Sequence, residues 1–348
     1  MYTGVVIKRV SMAVLMLLSI ISCNKDEEEY EYMEGSVNFD FPTYVVVDQV
    51  IETYASGITV PSDPIYFWVA SGLDLGERDT VYSQSIRVTV PHEPGEYSIT
   101  AFARHEGYYS KNKVVNVVAI TDEGDAVDGW TKTSDTFTDP RDGSVYYVRD
   151  YGHLTWFVQN LRYAGDGEDT LGRAYENSDG IGSVFGRLYS WNDATGGEAG
   201  SGLGGGPQGA CPEGWTVPTM EDWEDFAAAV VEETGLEDVS VDFLDSWRHL
   251  GEVMTAAILI NGDAMWPYSP DNEHTNDVDW NGIPTGNSNN SYSDFENIAE
   301  YGMWWASSEL DNGMVPYRYV FYNGSDCGVY YTDKDTYGVS VRCVKVLE

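Results

Sequence analysis

Short segments in which apolar and polar residues alternate recur through residues 33–120. Glycine, proline, aspartate and serine separate them at nearly regular intervals. Successive side chains of a strand point to opposite faces, so this alternation gives each strand one buried side. Repeated short strands with such turns are typical of two packed sheets, and the pattern predicts an all-β sandwich for this region. The strand candidates are residues 37–41, 44–47, 65–69, 85–90, 97–102 and 113–118.

One hairpin of this region resembles a known fold. Residues 94–101, PGEYSITA, are similar to the late hairpin of immunoglobulin-like domains in bacterial surface proteins. The resemblance implies an immunoglobulin-like sandwich over residues 33–120. We interpret this sandwich as a spacer that lifts the next domain away from a membrane, in preference to an independent binding site.

The first 23 residues indicate the compartment. Lys8 and Arg9 precede an apolar stretch, Met12 to Ile21, that is too short to span a bilayer and fits a signal peptide. Residues 20–23, IISC, resemble the bacterial lipobox, which implies that Cys23 is lipidated and becomes the mature N-terminus. Several acyl chains on one cysteine would hold the protein stably at a membrane. A cleaved signal peptide with an incidental cysteine is the alternative.

An acidic run follows in residues 24–32 and predicts a solvated tether. Directly after a lipobox, such a run resembles the surface-export signal of Bacteroidetes lipoproteins. We therefore expect a lipid-anchored protein of the outer membrane that faces the cell exterior. A lipoprotein that faces the periplasm is the alternative.

The charge of the chain limits its partners. The formal net charge is −38, and loss of Lys8 and Arg9 on cleavage would take it two units lower, to −40. A field this negative opposes binding to nucleic acid and to anionic lipid headgroups. It suits neutral or cationic partners, or divalent cations.

Cysteine and histidine spacing gives no metal site. Besides Cys23, the chain has Cys211, Cys327 and Cys343, an odd number in an oxidising compartment, so one is left over. There is no CxxC or HExxH string, and the five histidines are scattered. We expect no cofactor. Calcium stays possible because residues 263–279 are acidic, although no EF-hand string is present.

A different pattern begins at residue 136, after a Gly-, Asp- and Thr-rich stretch, 121–135, that predicts a linker. Residues 139–148 predict a turn and a strand, and residues 154–161 a second strand. Thr219 is a good helix N-cap with Asp222 three residues later, and a second helix is predicted over 246–260. The glycine-rich residues 200–206 lack the lysine of a phosphate cradle and predict a loop.

Several strings of this part recur in one family. Together they resemble the Fibrobacter succinogenes major paralogous domain, common in exported Bacteroidetes proteins, over about residues 136–346. The strings are Trp156 with Asn160-Leu161, Gly186 with Tyr189 and Trp191, Cys211-Pro212 with Gly214-Trp215 and Val217-Pro218-Thr219, Trp304-Trp305 with Ser307-Ser308, and Ser340 to Lys345.

The resemblance implies an α+β C-type-lectin-like fold for residues 136–348, with two helices on a mixed sheet and paired N- and C-terminal strands. It implies a disulfide between Cys211 and Cys343, with two separate buried thiols as the alternative. Oxidase relatives hold copper with a cysteine pair, but Cys327 has no near cysteine partner. No nucleophile elbow occurs either, so we expect no enzyme activity, with an unrecognised site as the alternative.

The same fold occurs in the variable proteins of diversity-generating retroelements. Residues 321–333, FYNGSDCGVYYTD, contain only residue types that adenine-directed change of an AAY codon can reach, which makes diversification of this run a hypothesis. Turns and exposed strands favour the same residue types, which is the alternative.

The tyrosine-rich run between Trp305 and Gly338 is the predicted contact surface, with Trp304 and Trp305 as supporting core. Tyrosine offers rigid contact area and a hydroxyl group, which suits a glycan or protein ligand. We therefore expect a cell-surface protein for adhesion or ligand binding, with a glycan-capture component of a polysaccharide uptake system as the alternative. The candidate ligand-binding residues are Tyr317, Tyr319, Tyr322, Asp326, Tyr330, Tyr331 and Asp333.

Overall fold

The fold is known from a computed structural model that describes residues 30–76, 79–121, 127–166, 170–241, 246–270 and 272–347. The predicted signal peptide, Cys23 and the acidic run up to residue 29 lie outside the described residues. Within the described ranges, no helix has the length and apolar character needed to cross a membrane.

The N-terminal region contains strands only, in its described residues, and the predicted all-β class of this region is confirmed. A five-stranded sheet in the order β3-β11-β9-β6-β7 faces the pairs β2–β5 and β4–β8, and Trp68, Val88 and Ile99 are buried between them. The strands are β1 Glu31–Tyr32, β2 Glu34–Asn38, β3 Tyr44–Val46, β4 Val50–Tyr54, β5 Ser56–Val60, β6 Ile65–Ser71, β7 Thr80–Val81, β8 Ser85–Thr89, β9 Gly95–Arg104, β10 Tyr108–Tyr109 and β11 Lys111–Ile120.

The C-terminal region, which we call the head, mixes strands with short helices. Its helices are α1 Asp179–Phe185, α2 Trp191–Thr195, α3 Met220–Thr234 and α4 Leu250–Met254, with one 3-10 turn, Tyr175–Asn177. Its strands are β12 Val127–Asp128, β13 Asp135–Thr138, β14 Val145–Tyr151, β15 Leu154–Phe157, β16 Tyr189–Ser190, β17 Ser240–Val241, β18 Ser246–Trp247, β19 Leu259–Ile260, β20 Asp263–Ala264, β21 Thr285–Asn289, β22 Asp294–Ile298, β23 Tyr301–Trp305, β24 Val315–Phe321, β25 Cys327–Thr332, β26 Gly338–Val339 and β27 Val344–Val346.

Two sheets organise the head. The first has the order β13-β14-β15-β27, so its early strands pair with the last strand of the chain. The second has the order β17-β18-β25-β24-β23 and carries the tyrosine-rich run. Helix α3 begins with the predicted capping box, in which the Thr219 hydroxyl accepts from the Asp222 N–H and the Asp222 carboxylate accepts from the Thr219 N–H.

The predicted helix over residues 246–260 is wrong. Ser246–Trp247 form β18, and Trp247 pairs with Cys327 at the side of the sheet. His249 has a left-handed backbone, and α4 is five residues long and ends before the extended Thr255. The apolar spacing arose because one short helix and the next strand bury their side chains in the same core.

The disulfide implied by the family resemblance is present. Cys211 and Cys343, with Cα atoms 5.8 Å apart, join the segment before α3 to the segment before β27 and close a loop with a sequence separation of 132. Cys327 is a free, fully buried cysteine. The disulfide therefore links the segment before α3 to the start of the last strand, β27.

A buried cation holds the end of the chain. Arg342 is fully buried and donates to the Asn160 side-chain oxygen at 2.8 Å and to the carbonyls of Trp280 and Asn281 at 2.7 and 2.8 Å. Burial lowers the pKa of Arg342 to about 9. Four neutral oxygens, including the Phe157 carbonyl, thus solvate this guanidinium within the core.

The sandwich and the head touch along one junction. Thr43 donates its N–H and its hydroxyl to the Glu176 carboxylate. Val46 and Ile120 belong to the same buried cluster as residues of α1. In the predicted linker, the described Thr131 donates its N–H to the Asn281 side chain at 2.8 Å, so part of this stretch lies on the head.

Candidate functional site

The strands β23, β24 and β25 form an antiparallel unit whose two faces differ. Met303 pairs with Tyr319, Trp305 with Tyr317, and Tyr317 with Tyr330. Alternate residues share a face of a sheet, so these positions lie on the same side. That side, with Tyr337 from the following loop, presents six aromatic rings that we call the tyrosine face: Tyr301, Tyr317, Tyr319, Phe321, Tyr330 and Tyr337.

The opposite side of these strands belongs to the core. Trp304, Arg318 and Cys327 point there and are fully buried. The Arg318 guanidinium lies 3.6 Å from the centre of the Trp247 ring. The side with the tyrosines also carries buried residues, because Met303, Trp305 and Tyr317 belong to a second core cluster. Tyr301, Tyr319 and Tyr337 of that side pack against this cluster and reach solvent in part.

The rings of the tyrosine face form a continuous contact network. Ring centres are 4.6 Å apart for Tyr301 and Phe321, 5.3 Å for Tyr317 and Tyr337, and 6.0 Å for Tyr317 and Tyr330. Tyr317 also contacts Trp305 edge-on at 5.8 Å. Aromatic pairs at such distances stabilise one another beyond the area they bury, so the rings are held in place before any ligand arrives.

A glycine positions Tyr319. Gly328 pairs with Tyr319 across the strands, and a Cβ atom at this position would lie 2.5 Å from the tip of the Tyr319 ring. The ring therefore covers the bare backbone of β25, a known way in which an aromatic residue compensates a strand glycine. The Tyr319 residue as a whole is half buried.

The tyrosine face is partly open to solvent. Tyr330 is 61% exposed, whereas Tyr317 is 7% exposed and forms the floor. Tyr301, Tyr319, Phe321 and Tyr337 are half buried. The hydroxyls of Tyr317 and Tyr337 interact, and burial raises the pKa of Tyr317 well above its usual range. The Tyr317 phenol is thus neutral at physiological pH.

Carboxylates surround this face. The carboxylate of Glu300 interacts electrostatically with Tyr301, that of Asp326 with Tyr319, and that of Glu296 with Tyr337. All three residues are exposed. Burial first, and then these charges among the smaller causes, raise the pKa of each phenol. The surface therefore combines neutral aromatic rings with a negative rim.

The seven candidate ligand-binding residues do not form one patch. Tyr317, Tyr319 and Tyr330 lie on the tyrosine face, while Tyr331 pairs with Pro316 and points to the opposite side. The remaining three are Tyr322, Asp326 and Asp333. Tyr322 lies in the β24–β25 turn and packs against the core, Asp326 accepts from the His249 N–H at 3.3 Å, and Asp333 accepts from the backbone of its own loop. Trp304 and Trp305 are fully buried, in keeping with their predicted supporting role.

Sequence reasoning missed Tyr301, Phe321 and Tyr337. Tyr301 and Phe321 are directly paired across β23 and β24, but the alternation of β24 alone does not show which residue of β23 lies opposite. Tyr337 reaches the face from a loop, where its hydroxyl donates to the Met303 sulfur at 3.4 Å. The spacing of two residues between Tyr317, Tyr319 and Phe321 was the available signal that Phe321 shares their side of the strand.

The run 321–333 covers the end of β24, the turn and β25. Cys327 fills the core opposite Val320, and Gly328 lies under Tyr319, so packing gives both positions a structural role. Most of the run's other residues are exposed or half buried. If residues 321–333 are diversified, substitutions are therefore tolerated best in the β24–β25 turn and at exposed positions of β25.

The acidic side chains near the tyrosine face do not form a cluster of metal ligands in the described residues. Across the part of the chain that the structure describes, no three His, Cys, Asp or Glu side chains converge as metal ligands. The carboxylates of the rim act as separate charges.

A second aromatic cluster lies on the outer side of the sandwich. The rings of Phe67 and Phe102 are stacked at 4.8 Å, and Tyr82 lies 5.3 Å from Phe67. The Arg104 guanidinium lies over both Tyr82, at 5.1 Å, and Phe67, at 5.8 Å. We call these three rings the sandwich face; Tyr82 is 57% exposed, close to the value for Tyr330.

Comparisons with known proteins support the assignment of the head. The family model of the Fibrobacter succinogenes major domain matches residues 150–345, more than half of the chain. No curated protein matches the sequence. Among solved structures, the chain is similar to the adhesin InvE of Yersinia pseudotuberculosis, with 10% identity, 90% of this chain and 70% of that chain covered, and a TM-score of 0.24, too low to carry an argument. On the family match, which includes both disulfide cysteines and the tyrosine face, the chain belongs to the Fibrobacter succinogenes major domain family.

Proposed function

We propose that this protein is a non-enzymatic, lipid-anchored surface protein that binds an extracellular ligand through the tyrosine face of its head. One observation carries the proposal: six aromatic rings share the outward side of β23–β25, and Tyr330 among them is 61% exposed. Exposed aromatic clusters on soluble proteins mark interaction sites, because rings left in water gain free energy when a partner covers them.

The placement of the face suits a binding surface more than a catalytic one. Burial raises the pKa of the Tyr301, Tyr319 and Tyr337 phenols, which stay protonated and serve as rigid contact area and hydrogen-bond donors. Binding of this kind requires no cofactor. The C-type-lectin-like fold that the family resemblance implied is part of this proposal.

The proposed location rests on the sequence. A lipidated Cys23 would anchor the protein in the outer membrane, the acidic run would direct it to the exterior, and the sandwich would hold the head away from the bilayer. Labelling of intact cells with a membrane-impermeant reagent tests this part. Labelling of the head only after the cells are broken would contradict it.

The binding function is tested with the full chain, solubilised in detergent, on arrays of glycans and of immobilised extracellular proteins. The double variant Tyr319→Ala/Tyr330→Ala should bind at least about thirtyfold more weakly, because central tyrosines are frequent hot spots of binding. The matched control Tyr82→Ala removes an equally exposed tyrosine from the sandwich face and should leave binding unchanged. Equal binding by the wild type and the double variant would contradict the proposal, and so would a wild type that binds no probe.

A further inference from the structure

The chain places its own cations over many of its aromatic rings. Within the described residues, nine lysine or arginine side chains lie over rings. They are Arg104, Lys113, Arg141, Arg149, Arg162, Arg173, Arg318, Lys334 and Arg342. In the same residues, none of these cations lies over a ring of the tyrosine face. The described lysine and arginine side chains thus leave the rings of the tyrosine face without a cation over them.

The two cations closest in sequence point elsewhere. Arg318 belongs to β24, but its side chain is fully buried on the other side of the strand over Trp247. Lys334 follows β25, but its ammonium lies 4.7 Å from the Trp191 ring centre and 2.6 Å from a Glu309 carboxylate oxygen. Neither can cover Tyr319 or Tyr330 without giving up these contacts.

The charge around the tyrosine face has the sign that attracts a cation. The exposed carboxylates of Glu296, Glu300 and Asp326 act on its rings, in a chain with a net charge of −38. The face of an aromatic ring carries negative electrostatic potential and attracts ammonium and guanidinium groups. A negative field also raises the association rate of a cationic partner.

We propose that the tyrosine face recognises cationic side chains, the ammonium of lysine or the guanidinium of arginine, on the surface of a protein partner. This inference deepens the proposed binding function and rests on it. The ammonium or guanidinium groups of the partner would lie over the rings of the tyrosine face. The carboxylates of Glu296, Glu300 and Asp326 would form ion pairs with these groups. A neutral glycan would use the rings without needing the negative rim, and it is therefore an outcome of the test.

The first experiment compares two peptides on the full chain in detergent at about 150 mM salt, where a Debye length of about 8 Å screens distant charges. One peptide carries several arginines in a glycine-serine background, and the other carries citrulline at the same positions. Citrulline keeps the shape and removes the charge, so the arginine peptide should bind at least about tenfold more tightly. Equal binding of the two peptides would overturn the inference, as would an arginine peptide that fails to bind.

The second experiment separates ring recognition from general attraction to an acidic chain. Tyr319→Leu/Tyr330→Leu keeps the charge and the apolar bulk and should bind the arginine peptide about tenfold more weakly. Tyr319→Phe/Tyr330→Phe keeps the rings and should bind within about twofold of the wild type, because the ring and not the hydroxyl attracts the cation. The control Tyr82→Leu should change nothing, since Arg104 already lies over that ring.

The outcomes also separate this inference from the proposed function. If the leucine variant loses neutral glycans and the citrulline peptide as strongly as the arginine peptide, the tyrosine face binds ligands but does not select cations. If the leucine variant binds every probe as the wild type does, the inference and the proposed function are both wrong. Thermal unfolding of each variant shows that a loss of binding does not come from a loss of fold.

Discussion

The sandwich and the head each present a cluster of aromatic rings, and the two clusters differ in one respect. On the sandwich face, the guanidinium of Arg104 lies over Phe67 and Tyr82. On the tyrosine face, no described lysine or arginine does the same, although Tyr330 and Tyr82 are almost equally exposed. Exposure alone therefore does not distinguish aromatic rings that are open to a ligand from rings that a cation of the same chain already covers. The presence or absence of such a cation over the ring does distinguish them.

The two regions also differ in how they are held together. The head is tied by the Cys211–Cys343 disulfide, while residues 33–120 contain no cysteine and depend on packing between their sheets. The disulfide thus lies in the region that carries the tyrosine face. Four predictions test this comparison.

Loss of the disulfide should have the largest effect. Replacement of both cysteines, Cys211→Ala/Cys343→Ala, should lower the free energy of unfolding by about 2–5 kcal/mol, because the unfolded chain is no longer constrained. Hydrogen exchange followed by mass spectrometry should show reduced protection in the head, with residues 33–120 unchanged. An equal loss of protection in both regions would show that they unfold as one unit through the Thr43–Glu176 junction.

Gly328→Ala, which adds a methyl group beneath the Tyr319 ring, should have the second largest effect on stability. The Cβ atom of Gly328→Ala would lie 2.5 Å from the ring, so the ring must move, at a cost of about 1–3 kcal/mol in stability and with weaker ligand binding. In the matched control Gly324→Ala, the new Cβ would meet only the Phe321 carbonyl oxygen, at 3.9 Å. Thermal unfolding and binding of the two variants are compared, and similar results for both would remove the positioning role of Gly328.

A cation placed on the tyrosine face should make it resemble the sandwich face. Thr332 pairs with Val315 on the side of Tyr317 and Tyr330, so Thr332→Arg can reach these rings. We expect arginine-peptide binding to weaken by about 1–2 kcal/mol, since the new guanidinium competes for the rings. Thr332→Gln controls for side-chain length in the same titration. If both variants bind as the wild type does, the open rings are not the contact site.

Removal of the sandwich cation should have the smallest effect. Arg104→Gln takes the guanidinium from Tyr82 and Phe67 and should cost about 0.5–1 kcal/mol in stability, as measured by chemical denaturation. Arg87→Gln is the control, because Arg87 is exposed beside Glu52 at 3.8 Å and such surface pairs contribute little. Equal stabilities of the two variants would mean that Arg104 does not act through the rings.

Much of the framework could be read from local sequence. The alternation in residues 33–120 predicted the all-β class because a period of two places one side of each strand in the core, although β4 and β5 were not among the predicted strands. Thr219 with Asp222 predicted the start of α3 because a capping box needs only neighbouring residues. The predicted helix over 246–260 failed because Trp247 finds its partner, Cys327, far along the chain. Local patterns thus decided the elements that depend on near neighbours.

By itself, the sequence determined the acidic character, the signal-peptide pattern, the family, and the all-β class of residues 33–120, since each follows from residue types and short spacings. Only the tertiary structure decided which tyrosines share a face. The pairing of β23 with β24 and of β24 with β25 places Tyr301, Phe321 and Tyr330 on one side and Tyr331 on the other. A shift of one residue in either pairing would reverse these sides, and the packing that prevents it involves the buried Trp304, Arg318 and Cys327 together.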